Sequence, residues 1–349
     1  MASLIEGLSL KPIRLGELTV TPLWFDSLGV KSSSLLVETP DLCLLVDPGA
    51  AEMQPSFPLP PKEKARLRLS ALNTLRKMAK RADTVFISHY HYDHHTLPSE
   101  APELYLGKQL WIKDPNRFIN RSQWQRARLF LQELCRLQGI DPGSVLTDPL
   151  PFDGPPLPQD PRDLKWLKGL LGLWREGPWI KEGVIGNCAV EFADSRTFVR
   201  GQTRVRFTSP LFHGAQFERV GWVVGMVLEI KGHKLLYSSD LQGPVMEEYA
   251  AWILQEEPDI LILDGPPTYL LGYMFGFREL ERAIGNASEI LRKLDASLIL
   301  YDHHLPRDPL FRKRTRGLWE LAERLQRPFL TLAEWLGKRP LVLELTESA

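Results

Sequence analysis

With 349 residues, 44% of them hydrophobic and 25% charged, the chain can bury a substantial core and has the composition of an ordinary globular protein. Its 43 Lys and Arg balance 43 Asp and Glu to a formal charge of zero, so it lacks the global positive surplus that drives non-specific binding to nucleic acid or to an acidic membrane. The one short basic run, Arg312, Lys313, Arg314 and Arg316, reads as a solvated helix face.

The first stretch, 1–23, lacks a basic start followed by a long apolar segment, and no later run approaches the ~20 apolar residues of a membrane span. Neither export nor membrane insertion is expected. Residues 18–25, 33–38 and 42–46 are β-like runs, the last ending in the turn signal Asp47-Pro48-Gly49. From 61 to 81, apolar residues recur every three or four positions behind prolines, which predicts an amphipathic helix. Residues 84–88 return to strand and lead into a histidine cluster, and a helix is predicted over 122–137.

Between about 139 and 203 the chain is rich in Pro, Gly and Trp, a composition that resists regular structure and reads as an insertion or lid. Trp166, Trp174 and Trp179 within it are read as local packing. Strands are predicted at 204–208, 222–230 and 234–238, the last two joined by a tight turn at Gly232-His233. Helix and strand then alternate: 245–255, 260–263, 280–294, 298–301, and a helix around 318–325. Strands first and then strand and helix interleaved, twice over, predict an α/β fold of two sheets packed face to face with helices outside, one domain spanning 1–349. Cys43, Cys135 and Cys188 are odd in number and widely spaced. They support neither a disulfide framework nor a Cys-type zinc site, and a reduced, cytoplasmic protein is the simplest reading.

Seven of the eight histidines fall into three places: His89, His91, His94 and His95; His213; and His303 with His304. Neutral imidazole is the commonest nitrogen ligand for zinc and related ions, so the clustering points to metal. In Ser88-His89-Tyr90-His91-Tyr92-Asp93-His94-His95, an extended chain would aim 89, 91 and 93 the same way and turn 94 aside. One ion cannot easily take all four donors. A natural division gives His89 and His91 to a first ion, and Asp93 and His94 to a second. Further ligands are available at the ends of later strands: His213, Asp240, and His303 or His304. Asp240 closes the run Leu235-Leu236-Tyr237-Ser238-Ser239, where a carboxylate could bridge both ions.

The pattern His-x-His-x-Asp-His, the strand ending in Asp47, and the downstream His213, Asp240 and His303 or His304 resemble the five ordered motifs of the metallo-β-lactamase superfamily. Ile119-Asn120-Arg121-Ser122-Gln123, Ser239-Asp240-Leu241-Gln242-Gly243-Pro244, Asp264-Gly265-Pro266-Pro267-Thr268-Tyr269-Leu270 and Asp302-His303-His304-Leu305-Pro306-Arg307-Asp308 resemble, more narrowly, an uncharacterised branch of predicted metal-dependent hydrolases within it. The resemblance covers nearly the whole chain outside 139–200. It implies an αββα sandwich of two mixed sheets flanked by helices. It also implies roles: His89, His91 and His213 on a first divalent ion; Asp93, His94 and the last-motif histidine on a second; Asp240 bridging. The spacing after the strand favours His303 over His304. Asp47 would orient a ligand imidazole by accepting its other N–H. Zinc suits the histidine-rich set, with manganese or iron as alternatives.

These residues predict hydrolysis by a metal-bridging hydroxide, with Asp93 and Asp240 the carboxylates nearest the chemistry. Members that reduce oxygen carry a carboxylate where this chain has His91, which favours hydrolysis over redox chemistry. A net charge of about plus one at a two-ion site favours an anionic substrate, so a small ester, lactone or phosphodiester is expected. Tyr92, Thr268, Tyr269 and Arg307, in or just after the motif loops, are candidate substrate contacts. The competing readings are a nuclease, with the 312–316 run and the insertion forming a groove for single strands, and a non-catalytic binding protein stabilised by metal. His95 is expected to pack near the site, His233 to sit in a turn, Asp264 to cap a loop, and Ser239 to lack the base a nucleophile needs.

Overall fold

The computed structural model describes residues 9–347. Residues 1–8, the start of the segment read above for an export signal, and residues 348–349 lie outside that part. Two large sheets dominate. The first begins as an antiparallel meander, Ile13–Leu15, Leu18–Phe25, Ser33–Glu38 and Cys43–Val46. It continues through the parallel strands Thr84–Ile87, Gln109–Ile112 and Cys188–Phe192 to an antiparallel edge, Gly183–Ile185. The second repeats that plan. Thr197–Arg200, Thr203–Phe207, Met226–Ile230 and His233–Tyr237 are antiparallel, and Ile260–Asp264, Leu298–Asp302 and Phe329–Leu330 follow in parallel.

Alternation along the second sheet explains the layers. Leu235, Tyr237, Ile260, Ile262, Leu298 and Leu300 join one core with the buried residues of the first sheet. Their neighbours Leu236, Leu261, Leu263, Ile299 and Tyr301 join another with Ile253, Ile290 and Leu321 of the helices Glu247–Glu256, Phe277–Lys293 and Arg316–Arg324. Each strand is therefore apolar on both faces, as a parallel strand covered on both sides must be. The helices Pro61–Ala79 and Arg121–Leu137 place Leu67, Leu75, Phe130 and Leu134 in the first core. The architecture is an αββα sandwich of two mixed sheets. Among the described residues no helix is long and apolar enough to cross a membrane.

Three local readings change. Segment 139–203 is largely regular, with the helix Pro161–Glu176 and strands in both sheets. Its glycines mask the helical spacing of Leu167, Leu170, Leu171 and Trp174, all buried, and Asp160 starts the helix by accepting from the N–H of Arg162 at 2.7 Å. The run 222–230 splits, because Val224 N–H leaves the ladder and donates to Ser88 O at 3.1 Å. Trp222–Val223 pairs instead with Leu211–Phe212 in a separate ribbon that ends at His213. The tight turn falls at Lys231-Gly232, both with positive φ, and His233 begins the next strand.

Candidate metal centre

Parallel strands of both sheets end along the same edge of the sandwich, and the polar residues here follow apolar runs at their carboxyl ends, where ligands of open α/β sheets gather. Asp47 follows Cys43–Val46, His89 follows Thr84–Ile87, Asp240 follows His233–Tyr237, Asp264 closes Ile260–Asp264, and His303 follows Leu298–Asp302. Asp47, Ser239 and His303 lie at positive φ of 42°, 55° and 60°. Non-glycine residues rarely occupy that region unless their surroundings impose it. After Ile87 the chain does not stay extended: the N–H groups of His94 and His95 both donate to His91 O, at 2.9 and 3.2 Å. That turn brings His91, Asp93 and His94 inward together.

Three overlapping groups of donors result, within each of which the ligand atoms lie no more than 4.8 Å apart: His89, His91, His213 and Asp240; Asp93, His94 and His303; and Asp240, His303 and His304. Nε2 of His89 is 3.0 Å from Nδ1 of His91, and Nε2 of His94 is 3.1 Å from Nε2 of His303. Asp240 stands between the groups. Its Oδ2 is 3.1 Å from Nε2 of both His94 and His213 and 3.4 Å from that of His89, and its Oδ1 is 3.4 Å from Nε2 of His303. His304 is set back, its Nε2 3.8 Å from Asp240, with Nδ1 on Asp264 at 2.8 Å.

The far nitrogens are held by other groups, which fixes each ring. His94 Nδ1 meets Asp47 Oδ2 at 2.7 Å, and the same carboxylate accepts from Ser88 N, Ser88 Oγ and Tyr237 OH at 2.7, 2.5 and 2.6 Å. His303 Nδ1 lies 3.1 Å from Asp26 Oδ1 and 3.2 Å from Ser32 O. His213 Nδ1 lies 3.3 Å from Gln242 Nε2, and the buried Oε1 of that amide has no hydrogen-bond partner among the described residues. With that amide turned to present its oxygen, Gln242 accepts from Nδ1–H and leaves Nε2 to the cluster.

Whether this set suits a divalent ion can be judged from unmet valence. His213 Nε2 and both oxygens of Asp240 are buried with no hydrogen-bond partner among the described residues. Such groups are costly unless something satisfies them. Burial pushes the imidazoles of His89, His91 and His304 well below their usual range, toward the neutral form that ligates. Burial pulls His94 down too, but Asp240 and Asp47 outweigh it and hold the ring up at about 10. Asp26 and Asp240 likewise raise His303 against burial. The two protons so held balance carboxylate charge that a divalent cation at the same spot would balance instead, and nitrogen and oxygen donors of this kind suit zinc. The residues fit the group.

Of the candidate contacts, Arg307 is buried and fully engaged. Its Nε pairs with Asp26 and its Nη2 donates to Asp93 Oδ2 at 2.9 Å. Against the upward push of burial, Arg307 and His303 hold the Asp26 carboxyl down at about 2. Arg307 thus meets Asp93 through a charge-assisted bond. Tyr269 OH accepts from Arg307 Nη1 at 3.3 Å. Thr268 is buried with its Oγ1 unpartnered. The Tyr92 ring stands with His95 and under Arg126, at 5.3 and 4.7 Å, outside the donor groups. His95 Nδ1 lies 2.9 Å from His91 O, and Ser239 donates to Ser88 Oγ at 2.8 Å. Asp264 does more than cap a loop: besides meeting His304, it accepts from Gln242 N at 2.8 Å, and burial with Asp240 nearby pushes its carboxyl up. In the basic run, Arg312, Arg314 and Arg316 pair with Glu334, Asp308 and Glu320.

Gly49 is a tight point. A Cβ there would lie 2.3 Å from Asp93 C and His94 N and 2.5 Å from Asp93 O, all main chain. Backbone cannot swing aside as a side-chain tip does. Gly49→Ala is therefore expected to destabilise by about 1–3 kcal/mol, as overpacking does, and to weaken metal retention about tenfold by displacing two donors. Thermal melting and metal content after dialysis would check it; unchanged values for both would contradict this packing.

Residues 28–95 match the family model described as the metallo-beta-lactamase superfamily. The chain is 35% identical over 338 residues to the UPF0282 protein of Methanopyrus kandleri, covering 93% of this chain and 96% of that one. It is 32% identical over 335 residues to the UPF0282 protein of Methanocaldococcus jannaschii, covering 93% and 94%. Among solved structures, the metallo-beta-lactamase fold protein YhfI from Bacillus subtilis aligns with TM-score 0.44 and 14% identity over 86% of this chain and 88% of that chain.

Proposed function

The chain belongs to the UPF0282 family within the metallo-β-lactamase superfamily, and from that membership and the converging donors we propose that it is a metal-dependent hydrolase acting on a small anionic ester, lactone or phosphodiester. The observation that carries the reading is Asp240, whose unpartnered carboxylate stands between a His89, His91, His213 group and an Asp93, His94, His303 group. In this reading those groups hold two divalent ions, zinc by preference, with Asp240 shared and His303 rather than His304 the last ligand. Divalent ions held by these residues would supply a bound water of lowered pKa and polarise the bond under attack. The chain's own part is to orient. Asp47, Asp26 and Gln242 fix the tautomers of His94, His303 and His213, and Arg307 anchors Asp93. His304 is held by Asp264 at the edge of the cluster, its ring beside those of His303 and His213. Residues 139–203 are treated as part of the same domain, the part that shapes access.

The test is metal dependence. Protein stripped with chelator and reloaded with zinc or manganese is assayed on a phosphodiester and a lactone reporter. Turnover that returns in proportion to metal, reaching its maximum near two ions per chain, is the expected result. No turnover on any reporter, with metal removal merely unfolding the protein, would favour the metal-stabilised binding protein instead.

A further inference from the structure

A cavity of about 600 Å³ lies between the helix Pro161–Glu176 and the start of Arg121–Leu137, within the ~300–1,000 Å³ of small-molecule sites. Four cationic side chains line it, Arg121, Arg162, Lys165 and Arg219, and no carboxylate does. Arg162, Lys165 and Trp166 recur with Gly169 along one helix face, and a Cβ at Gly169 would meet nothing within 4 Å. Arg121, Arg162 and Lys165 make no ion pair among the described residues, whereas Arg219 is fixed: it bonds Asp163 at 2.8 Å and lies 4.8 Å over the Trp166 ring. Trp166 is itself stacked on Trp222, with ring centroids 5.5 Å apart and planes at 8°. Asp160 is turned to its own helix start.

A charged surface is usually only a solvated face. Here the concavity and the connection to the donor cluster separate the two cases. Asn120, in the cavity wall, donates to Arg219 O and Val220 O, both at 2.8 Å. One turn on, Gln123 Nε2 lies 3.5 Å from His91 Nε2. On the other side, His213 N donates to Gly221 O at 3.0 Å, two residues after Arg219. The cavity therefore adjoins the His91 and His213 side of the cluster through two short, hydrogen-bonded segments.

We propose that this cavity binds phosphate groups of the substrate beyond the bond that is cleaved, so that the substrate is a phosphodiester carrying further phosphate. The inference rests on the hydrolase reading and narrows it. Four cations spaced along a wall match several negative charges, and three of them are guanidinium groups whose paired N–H donors fit phosphate oxygens. A free nucleotide and a short nucleic-acid strand share this chemistry.

The test is binding of a fluorescein-labelled, phosphorothioate-linked tetrathymidylate to the full chain, followed by anisotropy. Arg162→Glu/Lys165→Glu is expected to weaken binding at least tenfold. The control Lys168→Glu/Arg175→Glu, exposed on the same helix, should change it less than twofold, with both variants melting like wild type. Affinity should fall with salt at a slope of about −0.7 per phosphate held. Competition by thymidine monophosphate identifies a free nucleotide as the source, and competition only by longer strands identifies a nucleic acid; either supports the site. Equal binding by both double variants overturns it. The hydrolase reading fails separately: no metal-dependent hydrolysis of bis(p-nitrophenyl) phosphate by wild type, with the binding difference intact, removes the reaction and leaves the site.

Discussion

Asp240→Ala is expected to lower metal content from near two ions per chain to one or fewer, and to cut turnover of a phosphodiester reporter about a thousandfold, or about 4 kcal/mol of barrier. The size of the effect follows from position. Asp240 is within 3.4 Å of imidazole nitrogens from His89, His94, His213 and His303, so its loss removes the only carboxylate common to two of the donor groups and facing a third residue set. His94, together with His303, holds the Asp240 carboxyl well below the usual range against burial. Without that charge, repulsion between two neighbouring cations would go uncompensated at the shared position. Asp240→Asn separates charge from shape: an amide oxygen can still face one ion but cannot neutralise two. Retention of both ions with unchanged turnover in the alanine variant would remove Asp240 from the set of groups that hold them.

Much of this was legible from local sequence, for a physical reason. An apolar run that stops at a polar residue marks the end of a buried strand, and parallel strands end together, so Asp47, His89, Asp240 and His303 could be read one at a time and still belong to one place. The strand Ser33–Glu38 matches the pattern as a short run buried on both faces, and the helix from Pro61 matches because burial recurs at Lys64, Leu67, Ala71, Leu75 and Met78. What was not legible depends on partners distant in the chain. Asp26 reads as one more acid after a strand, and its use appears only when His303, 277 residues away, comes to rest on it. Arg307 looked available for substrate because sequence does not show that Asp26 and Asp93 flank it. The positive φ at His303, which turns it and His304 to different neighbours, is likewise invisible in the local sequence. The helix Pro161–Glu176 was hidden because Gly169 and Gly172 lower intrinsic helicity, while packing of Leu167, Leu171 and Trp174 supplies it.

Asp47→Asn should be far from conservative, although it changes one atom. Oδ1 accepts from Ser88 N, and Oδ2 accepts from Ser88 Oγ, His94 Nδ1 and Tyr237 OH. All four partners are donors, and the residue is fully buried. Whichever way the amide is placed, its NH2 faces at least one N–H or O–H, and a buried donor left without an acceptor costs about 1–3 kcal/mol. If the amide nitrogen takes the Oδ2 position, His94 loses the acceptor that commits its proton to Nδ1 and its lone pair to Nε2. If it takes the Oδ1 position, the main-chain N–H of Ser88 is displaced and His89 moves with it. Either arrangement is expected to lower metal affinity by about 10–100-fold, the usual consequence of losing a partner behind a ligand. Competition for zinc against a chromogenic chelator gives that ratio directly. Wild-type affinity in Asp47→Asn, with an unchanged melting temperature, would mean that the four bonds do not orient His94 and that the ring is held by packing against His89 and His303 alone.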